Sequence, residues 1–298
     1  MQAFRDAIFS VVQPGDIVVD LGTGTGILAY WAAKAGAKHV YAIEESDSWH
    51  AAQAVITANG LADRVTVLQS NSSDVQLDEH ADVLISELVG HFLFEEGAVE
   101  YIADVRTKLL KPEARIIPAG AKVFIAPAHL GDSFEEVRFW QEWRDPDLSS
   151  IAKLAADTAY VETVTPSQLL SASKQIFTVD FTSEIPRRRV AVAEFISERT
   201  GAIDAIVGWF DLALSPAHRI STAPHEPATH WKQCVFPLHR PVTVNLGERV
   251  LVEITLEPFA PGARWSWRVA FGDPVVFEET HRFCITHPGQ TLLLDERF

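Results

Sequence analysis

The chain is poor in the residues that would staple it with disulfides, anchor it in a membrane or hold it to nucleic acid. Only Cys234 and Cys284 are cysteine among 298 residues, which argues against a disulfide framework. Neither has a second cysteine or paired histidines at zinc-finger spacing, so no structural metal is expected. No apolar run approaches the ~18 residues of a membrane span. The opening Met1-Gln2-Ala3-Phe4-Arg5-Asp6 has no basic segment followed by a signal-type apolar stretch. Positive charge is also scarce: 25 Lys and Arg face 40 Asp and Glu, a net charge of −15. Such a chain repels phosphate backbones, and nucleic acid is not an expected partner. The dense basic run Arg187-Arg188-Arg189 reads as a solvated turn after Pro186. The expectation is a globular, cytoplasmic protein, long enough for two domains with ordinary cores.

What is present begins at residue 17. Ile-Val-Val-Asp-Leu-Gly-Thr-Gly-Thr-Gly (17–26) is a buried strand, an acidic residue, then glycine at every second position. Glycine allows a tight backbone turn and leaves room for a ligand against the chain. A helix beginning near Ile27 would add free N–H groups and a positive dipole end. The next strand, 39–44, ends in Glu44, placed to accept from ribose hydroxyls. A dinucleotide fingerprint needs a glycine at position 27, which is Ile27. Asp20 and Glu44 would repel a pyrophosphate and welcome the ammonium and sulfonium charges of S-adenosylmethionine. The cofactor contacts expected are Asp20, Gly22, Gly24, Gly26 and Glu44. Taken alone, the glycine run also reads as a plain strand-to-helix turn.

Strands at 16–20, 39–44, 65–69 and 82–87 alternate with helices from Ile27, at 47–59 and at 97–109, the last closed by Lys111-Pro112. This alternation predicts an α/β domain with a parallel, doubly wound sheet over residues 1–118. Residues 119–298 read differently. After a strand at 122–126, residues 132–160 look helical and irregular, with Phe139, Trp140 and Trp143 on a polar segment. From about 175 the chain is β: Val250, Val252, Ile254 and Leu256 alternate with other residues, as do Trp265, Trp267, Val269 and Phe271. An all-β second domain, barrel or sandwich, with a helical insertion is expected.

The strand 82–87 ends in Glu87, where ligands bind in open α/β sheets. Gly90 permits a reversal that brings Glu96 back towards Glu87. Two carboxylates there would grip a planar cation such as a guanidinium. Glu95 and Glu96 read equally as a solvated helix start. Far along the chain, Thr229-His230-Trp231 follows a proline-stiffened stretch and could present His230 to a site or hold it structurally.

Together these pieces resemble the protein arginine methyltransferase family. They are V-V-D-L-G-T-G-T-G-I-L (18–28), A-A-K-A-G-A-K-H-V-Y-A-I-E (32–44), S-E-L-V-G-H-F-L-F-E-E (86–96), L-K-P-E-A-R-I-I-P (110–118) and T-H-W-K-Q (229–233), in the family's order. The resemblance implies a Rossmann-like domain, a β-barrel domain and a helical dimerisation arm at about 132–162, hence a homodimer. It implies S-adenosylmethionine as cofactor and an arginine-containing protein as substrate. Glu87 and Glu96 would hold the guanidinium, His230 would pass on the proton, and His91 and Trp231 would wall the pocket. Ser73 stands at the place of an adenine-contacting glutamate, with Asp74 as a substitute. Leu88, Val89 and His91 replace the family's usual Trp, Met and Tyr. The family also carries two helices upstream of the Phe4–Ile8 equivalent, which this chain begins too late to contain; either its start is truncated or its cofactor lid differs. Two other readings stand beside protein arginine methylation: a methyltransferase for a small guanidine or amine metabolite, and a non-catalytic cofactor-binding scaffold.

Overall fold

The protein is described by a computed structural model covering residues 1–131, 135–143, 145–259 and 262–285. Parts of the expected arm (132–134 and 144) and of the expected second domain (260, 261 and 286–298) lie outside the described residues.

The first half runs α1 (Gln2–Val11), β1 (Ile17–Leu21), α2 (Ile27–Ala35), β2 (His39–Glu44), α3 (Trp49–Ala58), β3 (Val65–Gln69), β4 (Ala81–Ser86), α4 (Ala98–Leu109) and β5 (Leu110–Ile117). Its five strands form one parallel sheet in the order β3-β2-β1-β4-β5. Helices on the faces explain why β1 and β4 are apolar almost throughout rather than alternating. The chain leaves β1 towards β2 on one side and returns to β4 on the other. That reversal opens a crevice at the carboxyl ends of these strands.

Two elements of this half escape the sequence reading. Helix α1 buries Phe4, Ala7 and Ile8, spaced three and four apart on one face. Strand β5 starts at the residue after α4 ends, so Lys111-Pro112 opens a strand rather than only closing a helix.

The second half is antiparallel. It comprises β6 (Gly120–Ala128), α5 (Glu135–Glu142), α6 (Ser149–Ala156), β7 (Tyr160–Glu162), β8 (Lys174–Asp180), β9 (Arg189–Ile196), β10 (Gly201–Ser215), β11 (His218–Ser221), β12 (Gln233–Val244), β13 (Arg249–Phe259), β14 (Gly262–Phe271) and β15 (Phe277–Ile285). One sheet has the order β7-β12-β10-β6-β8, with β11 beside β10, and the other β15-β14-β13-β9. They face each other through aromatic rings: Phe236 of β12 lies 5.2 Å from Trp267 and 6.1 Å from Trp265 of β14. The ladders of the described residues do not join the two sheets into a closed ring. The expected alternation at 250–256 and 265–271 holds, and those inward side chains are buried.

The basic run is not a solvated turn throughout. Arg188 pairs with Glu257 at 3.0 Å, but Arg189 is buried at the start of β9, its guanidinium 4.8 Å from the centre of the Phe94 ring. The aliphatic stem and planar head of arginine let it stack where a lysine would need water.

One apolar core runs from Phe4 and the parallel sheet through Phe92 to Trp265 and Trp267. Phe92 enters it against Gly208 of β10, where an added Cβ would sit 2.2 Å from the ring. The ring is held by Phe236 at 5.1 Å and Trp265 at 5.2 Å, so it has nowhere to retreat. Gly208→Ala should therefore cost about 1–3 kcal/mol by overpacking, read as a lower midpoint in urea unfolding. An unchanged midpoint would show that Phe92 repacks freely.

Candidate active site

The glycine loop leaves β1 and is bound on both sides. The N–H groups of Gly22 and Thr23 donate to the Ile43 carbonyl at 2.9 and 3.0 Å, and the Gly24 N–H donates to Glu44 Oε2 at 2.9 Å. Glu44 is fixed from its other oxygen by the Ser46 N–H at 2.9 Å and the Ser46 hydroxyl at 2.6 Å. Gly22, Gly24 and Gly26 all have positive φ, which disfavours other residues. Gly24 borders open space, whereas a Cβ on Gly22 would strike Leu88 at 2.5 Å and one on Gly26 would press on Ala52 at 3.1 Å. Gly26 caps α2, whose N-terminus faces the loop.

Asp20, expected among the cofactor contacts, lies beneath the loop instead of lining it. It is fully buried, and Oδ2 accepts from the Thr23 hydroxyl at 2.5 Å and the Ala29 N–H at 2.9 Å. Its Oδ1 is buried without a partner. Burial pushes its pKa up to about 6 against the effect of those two hydrogen bonds. Asp20 thus joins strand, loop and helix. Ser73 sits on the turn Ser72–Asp74 beyond β3, its N–H on Asn71 at 3.0 Å and its hydroxyl 3.4 Å from Asp74.

The acidic loop starts at Glu87, directly after β4. Glu87 is half-buried, and burial followed by the charge of Glu96 raises its pKa to about 7. Two carboxylates nine residues apart in sequence therefore act on each other across the loop. The turn between them is built on Glu95, whose two oxygens each lie 3.0 Å from the Phe92 N–H. A bridge from Gly90 to Leu93 completes it, with Leu93 at φ 78°. The solvated helix start that Glu95 and Glu96 could have formed is not what Glu95 does. The helix begins at Ala98 behind Gly97, and Glu95 is half-buried, its pKa raised to about 7 by burial of the carboxyl.

The third element reaches the loop from the β half. Trp231 is buried and its Nε1–H donates to the Val89 carbonyl at 2.6 Å, while His91 Nδ1 lies 2.8 Å from the Trp231 carbonyl. A carbonyl only accepts, so His91 carries its proton on Nδ1. Exposed His230 lies beside Trp231 with ring centres 4.0 Å apart and planes tilted by 35°. Its pKa is lowered by burial and then by His91, and Glu96 acts in the opposite direction. The structure thus brings Glu87, Glu96, His91, His230 and Trp231 to one loop cluster. Leu88 links this cluster to Gly22 of the glycine loop.

Comparison with known proteins gives this geometry a family. Residues 6–121 match Ribosomal protein L11 methyltransferase (PrmA), and residues 119–265 match the Arginine methyltransferase oligomerization subdomain. Protein arginine N-methyltransferase 1 of Schizosaccharomyces pombe is 33% identical over 266 residues, covering 86% of this chain and 78% of the relative. This chain belongs to the protein arginine N-methyltransferase family. The probable protein arginine N-methyltransferase 1.2 of Arabidopsis thaliana is 34% identical over 266 residues, covering 86% of this chain and 72% of that one. The Trypanosoma brucei PRMT1 enzyme-prozyme heterotetrameric complex with AdoHcy contains a similar chain, with a TM-score of 0.86 at 26% identity. That likeness covers 94% of this chain and 93% of that chain.

For a member of this family, the residues sequence reasoning missed are the supports. Glue for the acidic loop comes from Glu95, and its one legible signal is a carboxylate directly after the apolar Phe92-Leu93-Phe94. Buried carboxylates also give the arginine methyltransferase fold a pH dependence. Asp20, Glu87 and Glu95 hold protons in the folded chain at pH values where the unfolded chain has released them. Their contribution to stability is therefore complete only below about pH 4 and falls as pH rises through 5 towards 7. Thermal unfolding from pH 5 to 7.5 should show a falling Tm, with a shallower fall in Glu95→Gln, which keeps an acceptor for Phe92. An equal slope in that variant would mean Glu95 does not titrate in this range.

Proposed function

We propose that this protein transfers a methyl group from S-adenosylmethionine to a guanidinium nitrogen of arginine in a protein substrate. The observation that carries this reading is the pair Glu87 and Glu96, set against each other at the carboxyl edge of the parallel sheet with Glu87 raised to about 7. Two carboxylates held in mutual repulsion lose that penalty when a delocalised cation lies between them. A guanidinium matches them through paired charge-assisted hydrogen bonds.

The residues around the glycine loop fit the cofactor. Open space at Gly24, a preset Glu44 and the capped start of α2 form a cradle, and a carboxylate oxygen that accepts one bond keeps lone-pair capacity for ribose hydroxyls. Gly22, Gly24, Gly26 and Glu44 would hold the nucleoside, Asp20 would fix the loop from beneath, and Ser73 would stand at the rim. The group supplies an electrophilic methyl when bound. Glu87 and Glu96 orient the guanidinium and localise its charge, which frees a lone pair on the nitrogen aimed at the cradle. Alignment of this kind can contribute ~7–11 kcal/mol. His230, whose lowered pKa favours the neutral ring, receives the proton and passes it to water.

The same reading includes a homodimer through the arm. Phe139 and Trp143 are 48% and 42% exposed, while Val137 is buried and Trp140 partly so. Large aromatic surface of this kind suits a partner subunit. A cytoplasmic location belongs to the reading too. Among the described residues no helix is long and apolar enough to cross a membrane.

Three measurements test it. Glu87→Gln and Glu96→Gln should each lose roughly 2–5 kcal/mol of transition-state binding, with cofactor affinity nearly unchanged. Methyl transfer to an arginine-rich peptide and to free arginine is the assay; preference for free arginine would favour the metabolite reading, and equal activity of wild type and both variants would sink the clamp. Glu44→Ala should weaken S-adenosylmethionine by roughly 1.5–3 kcal/mol in calorimetry. In the free enzyme kcat/KM should rise from pH 6 to 8 with a limb near 7, because Glu87 grips a cation only when ionised. A profile flat across that range would remove Glu87 from the binding step.

A further inference from the structure

A second constellation lies outside this site. Asp157 follows α6, where the arm returns to the β half; His239 is on β12, and Glu279 and His281 are on β15. Their separations in sequence, 82 residues from Asp157 to His239 and 124 to His281, hide them from any spacing motif. Glu279 holds both imidazoles from one side. Its Oε1 lies 3.0 Å from His281 Nε2 and its Oε2 3.4 Å from His239 Nδ1, and the His239 N–H donates to Oε1 at 3.0 Å. The opposite nitrogens converge: His239 Nε2 and His281 Nδ1 lie 3.2 and 2.9 Å from Asp157 Oδ1. These three ligand atoms all fall within 4.8 Å of one another. The rings are further fixed by stacking, His239 on His281 with centres 4.1 Å apart and His281 on Trp267 at 4.9 Å and 5°.

We propose that Asp157, His239 and His281 form a binding site for a borderline divalent cation of the zinc class, with Glu279 orienting both imidazoles from behind. Two imidazole nitrogens and one carboxylate are a ligand set that zinc takes, at ~2.0–2.2 Å from each atom, and that bond length puts tetrahedral neighbours roughly 3.4 Å apart. The Asp157 separations fall just below that edge, while the two histidine nitrogens, within 4.8 Å of each other, must draw together as Asp157 moves outward to seat the ion. A carboxylate on the far nitrogen of each ligating histidine is the usual support of such sites. The fourth position goes to water on the open side, where the Asp157 and His239 side chains are 17% and 30% exposed while that of His281 is sealed.

The cation would join three parts of the fold: the end of the arm, the sheet of β12 and the sheet of β15. Protons compete for the same atoms. A divalent ion replaces up to two protons, one each from His239 Nε2 and His281 Nδ1, and keeps the total charge. Its affinity must then rise with pH, by at most about a hundredfold per unit.

The test uses the full chain, stripped with a chelator and titrated with zinc chloride by calorimetry at pH 6.5 and 8.0. Expected are one equivalent bound, at least tenfold tighter binding at pH 8.0, a higher Tm with zinc, and at least tenfold weaker binding in His239→Gln. Glu279→Gln should weaken binding about 10–100-fold. Cobalt(II) titrated into the wild type should give the intense visible bands of a tetrahedral site, a readout that needs no variant to fold. No binding tighter than about 10 μM, unchanged affinity in a folded His239→Gln, or absence of the cobalt bands would each overturn the proposal.

Discussion

Glu95 is half-buried, with both carboxylate oxygens spent on the N–H of Phe92 three residues earlier. That contact closes the turn that carries Glu87 and Glu96. Without it the loop would have no reason to double back, since Leu93 must take a positive φ that a leucine avoids. The flanking Phe92 and Phe94 drive the loop into the core, and the carboxylate is carried inside with them. A buried polar group costs free energy unless it is bonded, so the loop conformation that bonds it is selected. Glu96 is thereby held where its charge reaches Glu87.

The same loop is where the two halves of the molecule meet. Phe92 fills the space that Gly208 leaves in β10, and Trp231 sends its indole N–H to the Val89 carbonyl. His91 answers by bonding the Trp231 carbonyl. Leu88 leans on Gly22 from the other direction. A disturbance in the β half is therefore transmitted to the glycine loop through a few side chains packed without slack. Leu88, Val89 and His91 fall on these joints.

The parallel sheet was legible because each strand is a short apolar run bounded by glycine, acid or helix signals, and its expected strands fall within a residue of those observed. Glu44 at a strand end and Glu87 after β4 were readable for the same reason: strand ends are fixed by the hydrophobic run. Strand β5 was not, because Lys111-Pro112 and the charged pair after it look like a helix stop. Helix α1 is short, and its buried triplet Phe4, Ala7 and Ile8 has meaning only beside the elements it packs on. Arg189 looked solvated because a basic run usually is; its burial depends on the Phe94 ring, a contact made across 95 residues. The His239–His281 cluster was illegible for that same reason, as no local pattern announces residues brought together from three elements.

Carboxylates of the same type are pushed in opposite directions in two places, and this separates their roles. Asp20, Glu87 and Glu95 are raised by burial, with too little positive charge nearby to offset it. Asp157 and Glu279 are also partly buried, yet hydrogen bonds from His239 and His281 hold both below the ordinary range. The second group is offset by its own histidines, whose bonding protons a divalent cation would replace. The first group is costly to ionise, and at Glu87 a cation arriving from outside would lower that cost. Perturbation of this sign concentrates where a protein receives ligands, because strain left in the empty site becomes binding energy for the correct cation. The excess of acid in the chain, 40 residues against 25 basic ones, does not create this by itself. It arises where a few carboxylates are packed by aromatic and glycine contacts into positions that water and counter-charges do not relieve.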